Sequence, residues 1–268
     1  MRPLSLMPDA VAAAVIVVLA DIDDTLTHDG RLPAEAYKAI EDLSAAGLSV
    51  APITGRPAGW CDMIARFWPV RGVVGENGAF YFAYDAGARK MCRVFAAGPE
   101  ERLFNRRRLD AVKARILEEV PGAAVSADQL YREADLAIDF CEDVAPLSKA
   151  DVARIKAIFE EEGAVAKISS IHVNGWFGDY DKLSMTRRFA QDVLGVDLDR
   201  DKDRVVFVGD SPNDAPMFGF FPNACGVANV LGFAGELDAE PAYVTAGGGG
   251  RGFVEVAERI LTARKGWA

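Results

Sequence analysis

The sequence predicts an α/β protein with a central parallel sheet, in the arrangement of a Rossmann-like core, and a smaller α+β domain inserted into it. Short apolar segments alternate with helical ones in residues 1–84 and again from residue 177, which is the order of βαβ units. Between these parts, pairs of strand-like segments alternate with helices, which is typical of an antiparallel sheet with helices on one face. We therefore predict a core of residues 1–84 and 177–268 and an inserted domain of residues 85–176.

The first part of the predicted core contains three strands, each followed by a polar turn. These strands are predicted at residues 11–20, 48–53 and 70–74. The helices between them are predicted at residues 33–47 and 57–68, with Pro33 and Pro57 in their first turns and Gly47 at the end of the first helix. Strand and helix thus alternate up to the turn Gly75-Glu76-Asn77-Gly78.

The insert and the second part of the core follow the same reasoning. Within the insert, helices are predicted at residues 99–120 and 147–162, and strands at residues 90–96, 134–140, 165–168 and 171–176. The core then resumes with a helix at residues 182–194, a strand at 205–208 and a helix that begins at Pro212. The glycine-rich segment 247–252 lacks the Lys-Ser/Thr pair of a P-loop, so we predict a flexible surface loop there.

The composition of the chain disfavours several classes of partner. Lys and Arg total 30 against 40 Asp and Glu, and the net charge of −10 disfavours nucleic acid or an anionic membrane. The four cysteines are far apart and form no C-x-x-C motif, which favours reduced thiols in the cytoplasm and gives no indication of zinc. The apolar residues 11–20 are too short to span a bilayer and precede no small-residue cleavage site, so a core strand is favoured over a signal peptide.

The segment Leu19 to Thr27, LADIDDTLT, is the first candidate site. It places Asp21, Asp23 and Asp24 at the carboxyl end of a predicted buried strand, where parallel sheets bind ligands. Closely packed carboxylates repel one another and raise one another's pKa unless a cation holds them, so this segment indicates a hard cation such as Mg²⁺. The alternative is an acidic turn that follows a core strand.

Four separated motifs resemble those of the haloacid dehalogenase (HAD) superfamily. They are D-x-D-x-T from Asp21 to Thr25, Thr54 at the end of the second strand, Lys182, and G-D-x-x-x-D from Gly209 to Asp214. They occur in the family's order and at the expected strand ends, and together they are far more specific than any one motif. Asp24 lies where the family often has glycine, which we expect to change only the local turn.

The residues and the resemblance together imply a phosphoryl-transfer site. Asp21 is the candidate nucleophile, and Asp23 is the candidate acid for the leaving oxygen and base for water. The expected Mg²⁺ ligands are Asp21, the backbone carbonyl of Asp23 and Asp210, with Asp214 as their support. The remaining residues expected to bind the phosphoryl group are Thr25, Thr54, Gly55, Lys182 and Asn213.

The insert lies where the superfamily carries a type-two cap, and its pattern resembles the cap of Cof-like, sucrose-phosphate and mannosyl-3-phosphoglycerate phosphatases. This resemblance implies a small phosphorylated substrate, such as a sugar phosphate, and a cap that closes over it. Candidate substrate contacts are Arg56, Asn77, His172 and Asn174, although His172 and Asn174 would also alternate this way on a half-exposed strand. A phosphomutase of the phosphomannomutase type and a catalytically silent metal-binding module are the alternatives.

Overall fold

The computed structural model describes residues 1–266, and these contain thirteen strands and nine α-helices. The strands are β1 (Arg2–Pro3), β2 (Val17–Ala20), β3 (Ser49–Pro52), β4 (Val73–Gly75), β5 (Phe80–Asp85), β6 (Lys90–Phe95), β7 (Ala124–Val125), β8 (Leu136–Asp139), β9 (Val165–Ile168), β10 (His172–Trp176), β11 (Val205–Gly209), β12 (Cys225–Gly226) and β13 (Tyr243–Val244). The helices are α1 (Asp9–Ala14), α2 (Ala34–Ala45), α3 (Ala58–Phe67), α4 (Pro99–Glu119), α5 (Lys149–Glu161), α6 (Lys182–Phe189), α7 (Leu198–Asp201), α8 (Ala215–Phe220) and α9 (Gly249–Lys265).

The core is a six-stranded parallel sheet in the order β1-β13-β12-β11-β2-β3. Its central strands β2 and β11 are fully buried and rich in valine, as expected for strands covered on both faces. Ala20, the last residue of β2, pairs with Pro52 of β3 and with Val208 of β11. The loops that follow these three strands therefore leave the sheet at one edge.

Helices cover both faces of this sheet. Val18 and Ala20 of β2 point into an apolar layer that also contains side chains of α1, α2, α3 and α9. Val17 and Leu19 point into the opposite layer, which α6 and α8 cover. This alternation is the period of two expected of a strand buried on both faces. Among residues 1–266, no helix combines the length and the apolar composition needed to cross a bilayer.

The insert contains a second sheet, which is antiparallel with the strand order β7-β8-β10-β9. Helices α4 and α5 pack on it through an apolar core that includes Ile116, Ile155 and Phe159. At Gly175 of β10, a Cβ atom would lie 2.1 Å from the Phe159 ring, so the close approach of α5 to this strand requires glycine. The prediction of an α/β core with an inserted α+β domain is confirmed.

Two predicted strands differ from the structure. Residues 9–14 form helix α1, and only Val17–Ala20 form the strand predicted at residues 11–20. The alanine-rich part of this segment favours helix, and the strand begins with the β-branched residues. Strand β6, which we predicted to lie in the insert, pairs with β5, and β5 pairs with β4 beside the core sheet. The division into core and cap at residue 85 stays a prediction, and the hairpin of β5 and β6 crosses it.

The prediction of a flexible surface loop at residues 247–252 is wrong. Helix α9 begins at Gly249, and Gly249, Gly250 and Gly252 are buried. A Cβ atom at Gly250 would lie 2.7 Å from the carbonyl oxygen of Leu26, so glycine allows α9 to pack against the loop after β2. The segment therefore supports the loop that carries the first acidic motif.

Candidate active site

Three carboxylates meet at the edge of the core sheet. Asp21 follows β2, and Asp210 and Asp214 follow β11, and all three are buried. One carboxylate oxygen from each lies within 4.8 Å of the others. These residues are up to 193 positions apart in the sequence. They meet because the carboxyl ends of β2 and β11 are neighbours in the sheet.

Lys182 supplies the cation inside this cluster. Its Nζ donates hydrogen bonds to Asp21 Oδ1 at 2.7 Å and to Asp214 Oδ1 at 2.8 Å. The preceding Asp181 caps α6 by a reciprocal pair of hydrogen bonds with Ser184, which places Lys182 at the first position of the helix. Burial opposes the charge on Lys182, but the two carboxylates raise its pKa above the usual value. The lysine is therefore charged in the folded protein.

The loop after β11 is organised around Asp214. Its Oδ2 accepts hydrogen bonds from the backbone N–H groups of Asp210, at 3.0 Å, and Ser211, at 3.4 Å. Asp210 in turn accepts a hydrogen bond from the Thr25 hydroxyl at 3.2 Å. The oxygens of Asp214 thus accept hydrogen bonds from Lys182 and from the backbone of the loop that carries Asp210. The supporting role of Asp214 stays a prediction.

The cluster has the electrostatic character of a cation site. Burial raises the pKa of Asp21 to about 7, and the charges of Asp214 and Asp23 add to the rise while Lys182 opposes it. Burial and the charges of Asp214 and Asp21 raise the pKa of Asp210 well above its usual range. One lysine cannot balance three ionised carboxylates, and their oxygens are the hard donors that Mg²⁺ takes. The residues present therefore fit a divalent cation.

The turn after Asp21 presents Asp23 to the cleft. Asp24 adopts a left-handed conformation with φ of 55°, and its N–H donates to the Thr27 hydroxyl at 2.9 Å. Aspartate tolerates this region better than most residues, so the departure from glycine at Asp24 is accommodated locally. The Asp23 side chain is 18% exposed and makes contact with Arg56. Asp21 and Asp23 therefore have different surroundings, one buried beside lysine and one at the wall of the cleft.

The loop after β3 forms a second side of the site. The Thr54 side chain is fully buried, and its hydroxyl oxygen accepts the N–H of Arg56 at 3.0 Å. Behind Gly55 lies Asn77, whose amide nitrogen is 3.1 Å from where a Cβ of Gly55 would be. That nitrogen is buried and has no hydrogen-bond partner among residues 1–266. Asn77 thus lies directly behind Gly55, and its contact with substrate stays a prediction.

A narrow cleft separates this edge of the core from the insert. Its core wall consists of Asp21, Asp23, Gly55, Arg56, Ser211 and Asn213. Its opposite wall, from the insert, consists of Arg132, Ser169, Ser170, Ile171, His172 and Asn174. The volume that the centre of a water-sized sphere can occupy is only about 10 Å³. His172 and Asn174 reach the cleft as their alternation along β10 predicts, and Asn174 also donates to Asp135 at 3.0 Å.

Charged side chains form hydrogen bonds between the insert and the core. The buried Glu76 accepts backbone N–H bonds from Glu133, at 2.8 Å, and from Ala134, at 2.6 Å, which both belong to the insert. Arg132 of the insert donates to the Gly55 carbonyl oxygen at 2.8 Å, while Asp128 balances its charge. These contacts hold the insert against the loops that carry the candidate site.

Three groups at this boundary were not predicted from the sequence: Arg132, the turn Ser169–Ile171 and Glu142. Glu142 lies 2.9 Å from Arg56 and follows the end of β8, as the acids of the core follow the ends of β2 and β11. The same search for acids at strand ends, applied to the insert, would have found it. Arg132 and the serines carry no comparable signal, because they lie on irregular segments.

Comparison with known proteins gives a consistent fold. No family model and no curated protein match the chain in sequence. Among solved structures, it is similar to a HAD subclass IIB sugar phosphatase, with TM-score 0.61, 14% identity and coverage of 94% of this chain and 99% of the other. The chain shares the fold of this protein. The sucrose-phosphatase of Synechocystis, solved with sucrose and phosphate, matches with TM-score 0.62, 14% identity and coverage of 92% and 98%.

A third solved structure has the same fold. The 0175 protein of Thermoplasma acidophilum matches with TM-score 0.69 and 18% identity, over 92% of this chain and 98% of that one. The resemblance to the HAD superfamily that the four motifs indicate is thus confirmed at the level of the fold. In the fold that this chain shares with these structures, the residues of all four motifs lie at or beside the same edge of the core sheet.

Proposed function

We propose that the chain is a Mg²⁺-dependent phosphatase that hydrolyses a small phosphate monoester, such as a sugar phosphate, through an aspartyl-phosphate at Asp21. The observation that carries this proposal is the buried group of Asp21, Asp210 and Asp214 around Lys182, with Asp23 beside it at the cleft wall. Splitting a phosphate ester needs a nucleophile, an acid for the leaving oxygen and positive charge around the phosphoryl oxygens. This group contains residues suited to each task.

In the first step, a carboxylate oxygen of Asp21 attacks phosphorus, and the bond from phosphorus to the ester oxygen breaks. Asp23 donates its proton to that oxygen, so an alcohol leaves instead of an alkoxide. Lys182 stabilises the negative charge of the phosphoryl oxygens and orients Asp21 through their hydrogen bond of 2.7 Å. The Gly55 N–H and the Thr54 hydroxyl are suited to donate hydrogen bonds to the same oxygens.

In the second step, the ionised Asp23 accepts a proton from water, whose oxygen attacks phosphorus. The bond between phosphorus and Asp21 breaks, and inorganic phosphate leaves with Asp21 restored as a carboxylate. Asp21, the backbone carbonyl of Asp23 and Asp210 would hold Mg²⁺, and Asp214 would orient Asp210. When bound, Mg²⁺ supplies positive charge that neutralises phosphoryl oxygens and keeps Asp21 ionised.

We further propose that the insert, bounded in our prediction by residues 85 and 176, acts as a cap that opens and closes. Pockets for small ligands usually measure about 300–1,000 Å³, far more than the volume of the cleft. A sugar phosphate therefore needs the cap to open before it can enter. Closure would then exclude bulk water from the reacting groups, which strengthens their electrostatic interactions. The polar wall of Ser169, Ser170, His172 and Asn174 suits a hydroxylated leaving group.

The test is phosphate release from a panel of phosphosugars, with and without Mg²⁺. We expect release that requires Mg²⁺ and that is lost in Asp21→Asn but kept in Asp203→Asn, which removes the same charge from an exposed site of the core. Full activity in Asp21→Asn would show that the nucleophile is another group. Isomerised sugar phosphate without net phosphate release would support the phosphomutase alternative, and no turnover of any ester would support a silent module.

A further inference from the structure

A chain of charged side chains connects Asp23 with the cap. The Arg56 Nε lies 2.9 Å and 3.0 Å from the two carboxylate oxygens of Asp23, and its Nη2 lies 2.8 Å from the first of them. The same Nη2 lies 2.9 Å from Oε1 of Glu142, which belongs to the cap. Arg56 thus has carboxylates of both domains on one planar group, whose rigid fork of donors fixes their relative geometry.

The position of Glu142 is built into the cap. The buried carboxylate of Asp139, at the end of β8, accepts the N–H groups of Cys141 at 2.9 Å, Glu142 at 2.8 Å and Asp143 at 2.8 Å. On its other side, Glu142 Oε2 lies 2.9 Å from Nε2 of His172, in a close polar contact that is not aligned as a hydrogen bond. The backbone therefore holds the loop of Glu142 where the closed cap meets Arg56, and His172 contacts the carboxylate from its other side.

Arg56 is held from the core side as well. Its side chain is 6% exposed and its guanidinium lies over the Trp60 ring, 4.4 Å from the centroid. Trp60 restricts the plane of the guanidinium but not its rotation within that plane, because a ring face offers no directional acceptor. Carboxylates at two of its edges are needed to fix that rotation. Opening of the cap removes Glu142, and also Asp128, whose Oδ2 lies 3.5 Å from Arg56 Nη1. It leaves Asp23 as the carboxylate that the core itself supplies.

We propose that Glu142 is a positioning residue that couples closure of the cap to the orientation of Asp23 through Arg56. This inference rests on the proposed phosphatase function and adds a condition to it: the acid that protonates the leaving oxygen is aligned only in the closed state. Glu142 does not touch the reacting atoms. Its effect is to turn the guanidinium so that Arg56 fixes the orientation of the Asp23 carboxyl group at the cleft wall.

If Glu142 has this role, its effect on the reaction rate should depend on the leaving group of the ester. Benzyl phosphate releases a basic alkoxide and needs a proton from Asp23 as its ester bond breaks, whereas p-nitrophenyl phosphate releases a stable phenolate and does not. The two esters have similar size. Because kcat/KM reports the reaction up to loss of the leaving group, the ratio of their kcat/KM values measures acid catalysis. The ratio does not depend on the folded fraction of the sample.

The experiment compares this ratio in wild type and Glu142→Gln, with Asp143→Asn as the matched control in the same loop. We expect Glu142→Gln to lower kcat/KM for benzyl phosphate by roughly tenfold or more relative to p-nitrophenyl phosphate, since general acids contribute about 10²–10⁴-fold. The control should keep the wild-type ratio. In an Arg56→Met background, Glu142→Gln should cause no further change in the ratio, because Glu142 acts through Arg56.

The contradicting outcomes are distinct. An unchanged ratio in Glu142→Gln, with either no loss or an equal loss for both esters, would overturn the positioning role while leaving the phosphatase intact. A further fall of the ratio in the Arg56→Met background would show that Glu142 acts by another route, which also overturns the proposal. Failure of wild type to hydrolyse either ester with Mg²⁺ would instead overturn the proposed function, and this inference with it.

Discussion

Replacement of Asp210 by asparagine should stabilise the metal-free protein and remove its response to Mg²⁺. Asparagine keeps an oxygen that can accept the hydrogen bond of Thr25, but it carries no charge. Carboxylates 4.8 Å apart repel by roughly 3 kcal/mol at an effective dielectric constant of about 20. Lys182 offsets part of this repulsion, so we expect the free energy of unfolding to rise by about 1–3 kcal/mol without metal.

The effect should grow with pH. The folded-state pKa of Asp210 is raised by burial and by Asp214, so the folded protein binds more protons than the unfolded chain above the ordinary pKa of 3.8. The wild type therefore loses stability as pH rises from about 4, and Asp210→Asn avoids that loss. With Mg²⁺ at about 100 times its Kd, the wild type should gain roughly 2.7 kcal/mol and the variant little. The difference in unfolding free energy between the variant and the wild type should then fall by roughly 2.7 kcal/mol.

Urea unfolding at about pH 5 and about pH 8, with EDTA or with Mg²⁺, measures these quantities. Asp203→Asn, which removes an exposed charge from the same domain, is the control and should follow the wild type. If Asp210→Asn were less stable than wild type in EDTA at the higher pH, the cluster would not be electrostatically strained. If the variant gained as much from Mg²⁺ as the wild type, Asp210 would not be a ligand.

Three further predictions concern the lysine and the boundary with the cap. Lys182→Met should lower kcat by roughly 100-fold or more, because it removes the charge beside the phosphoryl group, and steady-state kinetics with wild-type kcat would contradict this. Glu76→Ala should reduce the free energy of unfolding by about 3 kcal/mol, because the N–H groups of Glu133 and Ala134 lose their acceptor. Glu76→Gln keeps an acceptor oxygen and should reduce it by less. Equal urea midpoints for the two variants would contradict this prediction. The contact with His172 and the charge of Arg56 lower the pKa of Glu142 to about 2 against the effect of burial, from an ordinary 4.5. The stabilising contribution of ionised Glu142 is therefore present above about pH 4.5 and lost as pH falls towards 2. The difference in melting temperature between wild type and Glu142→Gln should shrink across that range, and a difference that widened would contradict the prediction.

The core of the site could be predicted from sequence because a parallel sheet gathers strand ends. Asp21, Thr54 and Asp210 each follow a buried apolar strand, and the sheet order brings those ends to one edge. Residues 11–14 were assigned to the strand because apolar composition alone does not separate a buried helix turn from a strand. The glycines at 247–252 were assigned to a loop because the sequence does not show why a helix would need them there. They allow close packing against Leu26, which lies more than 200 residues away in the sequence.

The boundary with the cap was not predictable in the same way. The contact of Arg56 with substrate stays a prediction, but the sequence did not predict that its guanidinium lies between Asp23 and Glu142. No local sequence pattern predicts a contact of this kind, because Arg56 and Glu142 come from separate domains and from loops without periodicity. The pairing of β6 with β5 was missed for a related reason: a hairpin that crosses a domain boundary has the same sequence signals as one inside a domain.

The central claim, that Asp21 becomes phosphorylated during turnover, can be tested by acid quenching followed by mass spectrometry. Wild type mixed with Mg²⁺ and a phosphosugar that it hydrolyses, then quenched during turnover, should carry a phosphoryl group on the peptide that contains Asp21. Hydroxylamine should remove it, as expected of an acyl phosphate, and Asp21→Asn should show none. A phosphoryl group on another residue, or turnover without any phosphorylated peptide under the same quench, would contradict the account.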